Sequence, residues 1–347
     1  MNNKRLASPT IYDIAKLANV SPGTASRALN NVGYVKEETK QRVEKAAKEM
    51  QYVPNRTASS LKTKKTGLVL FAIPDMDNPF YFDLIRAVQE VVRHNGYSLI
   101  LYYTELKLSE ECKVFKMLRE GIADGMIMIS PNINTKINDH IKQVNCPMVF
   151  SSIGVSEVGG RDEDRFDFVS ADTRKGIYLS TKHMIRQGHE RIAYLACDKN
   201  VGVFEERYHG YLEAMNEAGI TVDDSLVNWG HYTERSGYEE TIELIESKNP
   251  PTAICAANDI MILGAQRACQ EAGLRIPEDI ALIGMDNIDT VTRVTPKLSS
   301  VFIAQYEVGQ KAAELLFDRI YKKETGKSKK IIFEPRLVLR ESSVKYR

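Results

Sequence analysis

From residue 67 onward, short apolar runs alternate with longer segments whose apolar residues recur every three to four positions. Residues 67–73, 97–103, 125–129, 147–151, 192–196, 253–256 and 280–284 read as strands. Residues 81–95, 109–120, 176–187, 208–218, 236–247 and 260–272 read as helices. Such alternation folds as parallel sheets covered by helices on both faces. Some 280 residues is long for one such sheet. Two α/β lobes fit better, with a break near 155–170, where Gly159, Gly160 and a run of charges interrupt the pattern. Open sheets of this class bind ligands at the carboxyl ends of their strands. The informative residues are therefore 74–81, 257–259 and 285–287, each just past a strand.

The first 65 residues differ in kind. They carry 13 Lys and Arg against 5 Asp and Glu, a net of +8, whereas the remainder carries 34 against 41, a net of −7. A basic head on an acidic body predicts that the head meets a polyanion. Ile11, Ile14, Ala15, Leu17 and Ala18 fall on one helical face, with Thr10 as N-cap and Asp13 in the capping-box position. Ser21 then caps a second helix, with Pro22 at its first position, where the missing N–H costs nothing. Ala25, Ala28 and Leu29 face inward, while Thr24, Ser26 and Arg27 face out. A third helix from about 37 to 50 carries Val43, Ala46, Ala47 and Met50 as its stripe. This is the helix-turn-helix arrangement, whose second helix enters the major groove. Arg27 suits guanine or phosphate, and the hydroxyls of Thr24 and Ser26 suit phosphate oxygens.

The run from Thr10 to Asn30 (Thr-Ile-Tyr-Asp-Ile-Ala-Lys-Leu-Ala-Asn-Val-Ser-Pro-Gly-Thr-Ala-Ser-Arg-Ala-Leu-Asn) resembles the N-terminal signature of the LacI/GalR family of bacterial transcription regulators. The match continues through Tyr52-Val53-Pro54-Asn55-Arg56-Thr57-Ala58-Ser59-Ser60-Leu61. The resemblance implies a helix-turn-helix domain over 8–53, a hinge helix and linker over 54–66, and an effector-binding and dimerisation body over 67–347. It implies a hinge that folds on operator DNA and pushes Leu61 into the minor groove, with Asn55 and Ala58 nearby. A short polar segment behind Pro54 is a poor free-standing helix, and DNA can supply the missing stabilisation. An apolar wedge unstacks a base step and bends the duplex. The implied DNA-contacting set is Thr10, Ser21, Pro22, Gly23, Thr24, Ser26, Arg27, Asn30, Tyr52, Asn55, Ala58 and Leu61. In the family the two residues after the capping serine help choose the operator. Here Pro22 and Gly23 have no side chain able to hydrogen-bond a base, so shape readout through the hinge is expected to carry more of the specificity.

The body is similar to the family too, in 75–81 (Asp-Met-Asp-Asn-Pro-Phe-Tyr), 188–193, 207–211, 257–264 and 276–286. The resemblance implies a fold like periplasmic sugar-binding proteins, with lobe one near 67–167 and 301–328 and lobe two near 168–300 and 329–347. It places the effector between the lobes, touching Asp75, Phe80, Arg207, Tyr232, Asn258 and Asp286. Carboxylates and amides take hydroxyls, rings stack on apolar sugar faces, and Arg207 can make bidentate bonds. Local roles compete: Asp75 and Asn258 as helix caps, Arg207 as a surface ion pair. Two positions depart from the family pattern. Ser152 stands where members often carry an acidic residue, and Ile303 where many carry glutamine, with Gln305 two residues on. Both make the pocket less polar.

The expectation is a repressor of carbohydrate-utilisation genes, working as a homodimer on a pseudo-palindromic operator and answering to a sugar or sugar derivative. No leucine heptad tail follows the 335–342 block, so no tetramerising coiled coil is expected. A transport solute-binding protein would call for a signal peptide and no basic head. An α/β enzyme with an appended helical domain would need a GxSxG, a P-loop or a GxGxxG after a strand, and none is found. No apolar run approaches the ~18 residues of a membrane span, and the polar start has no apolar region behind it, so a cytoplasmic protein is expected. Five scattered cysteines without CxxC spacing and six dispersed histidines predict neither a disulfide framework nor a metal site, and no cofactor is expected.

Overall fold

The computed structural model describes residues 9–30, 33–53, 65–130, 135–151, 166–197 and 202–344. The chain divides into two compact units, residues 1–66 and 67–347. In the first, α1 (Ile11–Leu17), α2 (Pro22–Asn30) and α3 (Glu37–Glu49) enclose a small core of Ile14, Ala15, Ala18, Ala25, Ala28, Val43 and Ala46. Ile11, Ile14, Ala15 and Ala18 follow the i, i+3, i+4, i+7 rule. Leu17, expected on that face, lies off this stripe and is 51% exposed.

In the second unit a six-stranded sheet has the order β11-β5-β4-β3-β1-β2. These are β1 (Leu68–Ile73), β2 (Ser98–Tyr103), β3 (Gly125–Ile129), β4 (Met148–Ser151), β5 (Asp167–Ala171) and β11 (Lys330–Phe333), all parallel. One face carries α4 (Phe80–His94) and α11 (Gln305–Ile320), the other α5 (Leu108–Arg119) and α6 (Thr135–Lys142). The second lobe holds a four-stranded parallel sheet of order β7-β6-β8-β9: β6 (Ile192–Cys197), β7 (Val227–Gly230), β8 (Ala253–Ala256) and β9 (Ala281–Ile283). Its helices are α7 (Thr173–Arg186), α8 (Gly202–Glu217), α9 (Glu234–Ile245) and α10 (Asp259–Glu271). An antiparallel pair, β10 (Ser300–Phe302) with β12 (Arg336–Val338), packs onto this lobe.

The lobe limits differ from those read in the sequence. β5 pairs with β4, and β11 with β5, so 167–171 and 330–333 belong to lobe one rather than lobe two. β5 is buried throughout and offers no period-two alternation that would reveal its neighbours. The chain therefore crosses between lobes after β5, between β10 and α11, and between β11 and β12.

Candidate nucleic-acid interface and effector site

In the head, the Thr10 hydroxyl and N–H both donate to the Asp13 carboxylate, at 2.7 and 2.8 Å, closing the capping box. These bonds hold the Asp13 carboxyl below its ordinary range. Ser21 Oγ accepts the Thr24 N–H at 3.1 Å and so opens α2. Pro22, Gly23 and Arg27 are exposed along this start, and Arg27 Nη2 lies 3.4 Å from Thr24 Oγ1. A Cβ on Gly23 would meet only Ser21 Oγ, at 3.8 Å, so the helix face there is open. Asn30 donates from Nδ2 to the Ser26 carbonyl at 2.9 Å. Tyr52 is half-buried against the head core. Asn55, Ala58 and Leu61 lie outside the described residues, as does Ser152.

In the body, Asp286 follows β9 and is 2% exposed. Its N–H donates to the Val301 carbonyl at 2.8 Å, and its carbonyl accepts from Gln305 Nε2. Its φ of 117° is strained for a residue with a Cβ. Its Oδ1 is buried with no hydrogen-bond partner among the described residues. Burial pushes the carboxyl up to about 7, against the pull of Arg207. The neighbouring Asp259 accepts from Ser300 Oγ at 2.7 Å and from the Ile288 N–H at 2.9 Å. Burial and the Asp286 charge hold it well above the carboxylate range.

Arg207, on α8, is 3% exposed. Its Nη1 donates to the Ala257 carbonyl, its Cζ sits 5.3 Å from the Tyr232 ring centroid, and its Nε has no partner among the described residues. A surface ion pair is thus ruled out for it. Phe80 and Tyr232 each pack against the cores of both lobes. The Tyr232 loop is pinned from α9: Ser236 Oγ accepts the His231 N–H at 2.8 Å and donates to Glu240. Burial raises the Glu240 carboxyl to about 7. Asn258 Oδ1 caps α10 by accepting the Met261 N–H at 2.9 Å. Asp75 Oδ1 accepts the Asp77 N–H at 2.8 Å in the turn after β1.

A pocket of about 330 Å³, open solvent included, lies at the carboxyl ends of the first lobe's strands, beside the crossovers to the second. It is lined by Phe80, Leu84, Ile129, Ser151, Ser170, Ala171, Thr173, Ile303, Gln305 and Val308. Of the six expected effector contacts only Phe80 lines it. Arg207, Tyr232 and Asp286 instead cluster beside it, and Gln305 joins the two regions through its bond to Asp286. Ile303, flagged from sequence as a departure, is part of the wall. Leu84, Ile129, Thr173 and Val308 were not singled out in the sequence. The signal that could find them is position, since Ile129 ends a strand while Thr173 and Val308 lie in first helical turns.

The head and the two-lobed body define a class: a helix-turn-helix reader of DNA joined to a periplasmic-binding-protein-like sensor. Residues 10–55 match the bacterial regulatory proteins of the lacI family, and residues 181–343 match the periplasmic binding protein-like domain. The chain is 32% identical over 336 residues to the HTH-type transcriptional repressor PurR of Aliivibrio salmonicida (strain LFI1238), covering 96% of this chain and 98% of that one. A structure of the transcriptional regulator CelR–cellobiose complex shares 29% identity with a TM-score of 0.72, covering 96% and 99% of the two chains. The lac repressor dimer bound to operator and the anti-inducer ONPF shares the fold at 24% identity, with a TM-score of 0.85 and coverage of 97% and 99%. The chain belongs to the lacI family and is a DNA-binding transcriptional repressor of it. Among the described residues no helix is long and apolar enough to cross a membrane, and no group of three or more His, Cys, Asp or Glu could hold a metal ion.

Proposed function

We propose that this repressor senses a carbohydrate or sugar derivative held between its two lobes, and controls carbohydrate-utilisation genes in the cytoplasm as a homodimer on a pseudo-palindromic operator. The observation that carries the effector class is the pair Arg207 and Asp286. Both side chains are buried, they bear opposite charges, and each has a polar atom without a partner among the described residues. A neutral polyol satisfies both at once: a hydroxyl oxygen accepts from Arg207 Nε while another O–H donates to Asp286 Oδ1. A buried polar atom left unmatched costs about 1–3 kcal/mol, so a ligand that matches both gains doubly. The rings of Phe80 and Tyr232 offer apolar faces beside it. The cellobiose complex of CelR, at 29% identity, supports the same reading. Asp75 and Asn258 complete the proposed contact set from its edge, Asn258 through its amide nitrogen.

On the DNA side, Arg27 and Thr24 read the major groove from the start of α2. Ser21, Ser26, Asn30, Thr10 and Tyr52 position the head on phosphates, while Pro22 and Gly23 admit close approach. Leu61, with Asn55 and Ala58, is the minor-groove wedge. Effector binding alters the lobe arrangement and so the operator affinity, with a coupling of about 1–3 kcal/mol.

The test is a thermal-shift screen of the full chain against sugars, sugar phosphates and nucleosides. A ligand at 100 times its dissociation constant adds about 2.7 kcal/mol. A sugar hit that disappears in Arg207→Lys and Asp286→Asn supports the proposal. Stabilisation by nucleosides alone sinks the sugar assignment and keeps the site. A hit that survives both substitutions sinks the site.

A further inference from the structure

Between α11 and β11 runs the segment Tyr321-Lys322-Lys323-Glu324-Thr325-Gly326-Lys327-Ser328-Lys329-Lys330. It holds five lysines and one acid, inside a body whose net charge is −7. All five lysines are exposed. Lys329 pairs with Glu324, Lys330 lies over the Phe168 ring, and Lys323 over the Tyr321 ring. Lys322 and Lys327 make no ion pair among the described residues.

This loop is built rather than loose. Asp167, 1% exposed at the start of β5, receives a two-pronged bond from Arg319, Nε to Oδ2 and Nη2 to Oδ1, both at 2.8 Å. The Lys329 N–H donates to the same carboxylate at 2.7 Å. Arg319 then donates to the loop's own carbonyls, Gly326 and Lys327, each at 2.8 Å. Tyr321 OH donates to the Asn95 carbonyl at 3.3 Å, tying the loop's entry to the end of α4. A planar guanidinium held by a buried carboxylate fixes the backbone that carries the lysines, so little ordering entropy remains to oppose an anionic partner.

Its place in the fold selects the partner. Every strand of the six-stranded sheet is parallel, so β1 and β11 begin at the same edge. The chain enters β1 there, through Gly67, whose N–H donates to Asp124 at 3.0 Å. The segment that follows the DNA-binding head in sequence thus enters the body at that end of the sheet. β1 and β11 stand four strand spacings apart, or roughly 19 Å at about 4.8 Å each.

We propose that the 322–330 loop is a second, sequence-independent DNA contact, which neutralises backbone phosphates of duplex flanking the operator. The inference rests on DNA binding by the head and extends the footprint beyond it. Lys322, Lys323 and Lys327 carry the contact.

The experiment uses the full chain and a duplex it enriches from a randomised pool, trimmed to the shortest length that still binds. Affinity is measured across salt concentrations on this minimal duplex and on the same duplex with 15 added base pairs of mixed sequence on each side. Each phosphate contact adds about 0.9 to the steepness of log K against log salt. The wild type is expected to be steeper on the extended duplex by about 2–3 per protomer. Lys322→Gln/Lys323→Gln/Lys327→Gln should remove that increment, cost tenfold or more in affinity at low salt on the extended duplex, and change nothing on the minimal one. The three Lys→Arg replacements should restore the slope, and unchanged thermal unfolding shows that the loop variants fold. Equal slopes for wild type on the two duplexes, or an equal loss on both in the glutamine variant, would overturn the proposal. Failure to enrich any duplex would overturn it as well, by sinking the DNA-binding reading on which it stands.

Discussion

Gly264→Ala sets two ordinary effects against each other. Replacing glycine by alanine in a helix interior normally stabilises by about 1 kcal/mol. Gly264 lies in α10 where it crosses α9, and a Cβ there would stand 2.0 Å from the Glu234 carbonyl oxygen and 2.7 Å from the Tyr238 nitrogen. Gly237 makes the reciprocal approach, its Cβ falling 2.1 Å from the Met261 carbonyl oxygen. Ordinary contact begins near 3.4 Å, so the helices would have to part by about 1.4 Å, and the obstacle is backbone that cannot rotate away. Overpacking of this kind costs about 3 kcal/mol, the upper part of its usual range. The net expectation is a loss of about 2 kcal/mol, or a melting temperature lower by roughly 4–8 °C for a unit of this size. Thermal unfolding followed by circular dichroism measures it directly. Since α9 starts two residues after Tyr232, the variant should also weaken any effector that touches that ring. A variant as stable as the parent would refute the close-packing argument, because only the propensity gain would then remain.

Gly23→Ala gives the opposite sign: the site is open, so the head should gain up to about 1 kcal/mol, read as a higher melting point of isolated residues 1–66 or as slower proteolysis of the head in the full chain. Glu240→Gln tests the buried carboxyl behind the Tyr232 loop. Its folded pKa of about 7 lies above the ordinary 4.5, so folding takes up a proton, stability is full at low pH, and it falls as pH rises from 4.5 through 7. Glutamine removes this loss, so the variant should be more stable than wild type by roughly 2 kcal/mol at pH 8 and by only about 0.5 kcal/mol at pH 5; urea titrations at the two pH values decide. Leu61→Ala should weaken operator binding at least tenfold in a mobility-shift assay while leaving dimerisation and effector-induced stabilisation unchanged. Unchanged operator affinity would remove the wedge role.

The head was legible because its signals are local. Thr10 with Asp13, and Ser21 with Pro22, announce helix starts within three residues, and the structure forms both caps. The strands with long apolar runs, such as 68–73, were legible for the same reason. β5 and β11 were not, since they pair with each other across more than 150 positions of chain. The lobe limits depended on those pairings and moved with them. At the site, Asp286 was legible as a polar residue just past a strand, and Arg207 through the family resemblance of 207–211. That Asn258 spends its acceptor on its own helix was one of the local roles the sequence offered; what no local pattern could reveal is that Gln305 reaches from one lobe to the backbone of the other. That reach follows from where the crossover between β10 and α11 brings the chain back.

The three crossings between lobes also bear on synthesis. The chain leaves the six-stranded sheet after Ala171 and returns to it only with α11 at Gln305 and β11 at Lys330. While the ribosome is still making the second lobe, the first lacks an edge strand and the helix that covers one of its faces. β5 then presents open backbone groups where β11 will lie, a template for wrong pairing. The first lobe can close only after the second has been made, so the body cannot mature strictly from its N-terminus. A nascent chain halted near residue 300 should therefore expose the apolar face otherwise covered by Val308, Ala312, Leu315 and Leu316, and hold chaperones until the last segment emerges.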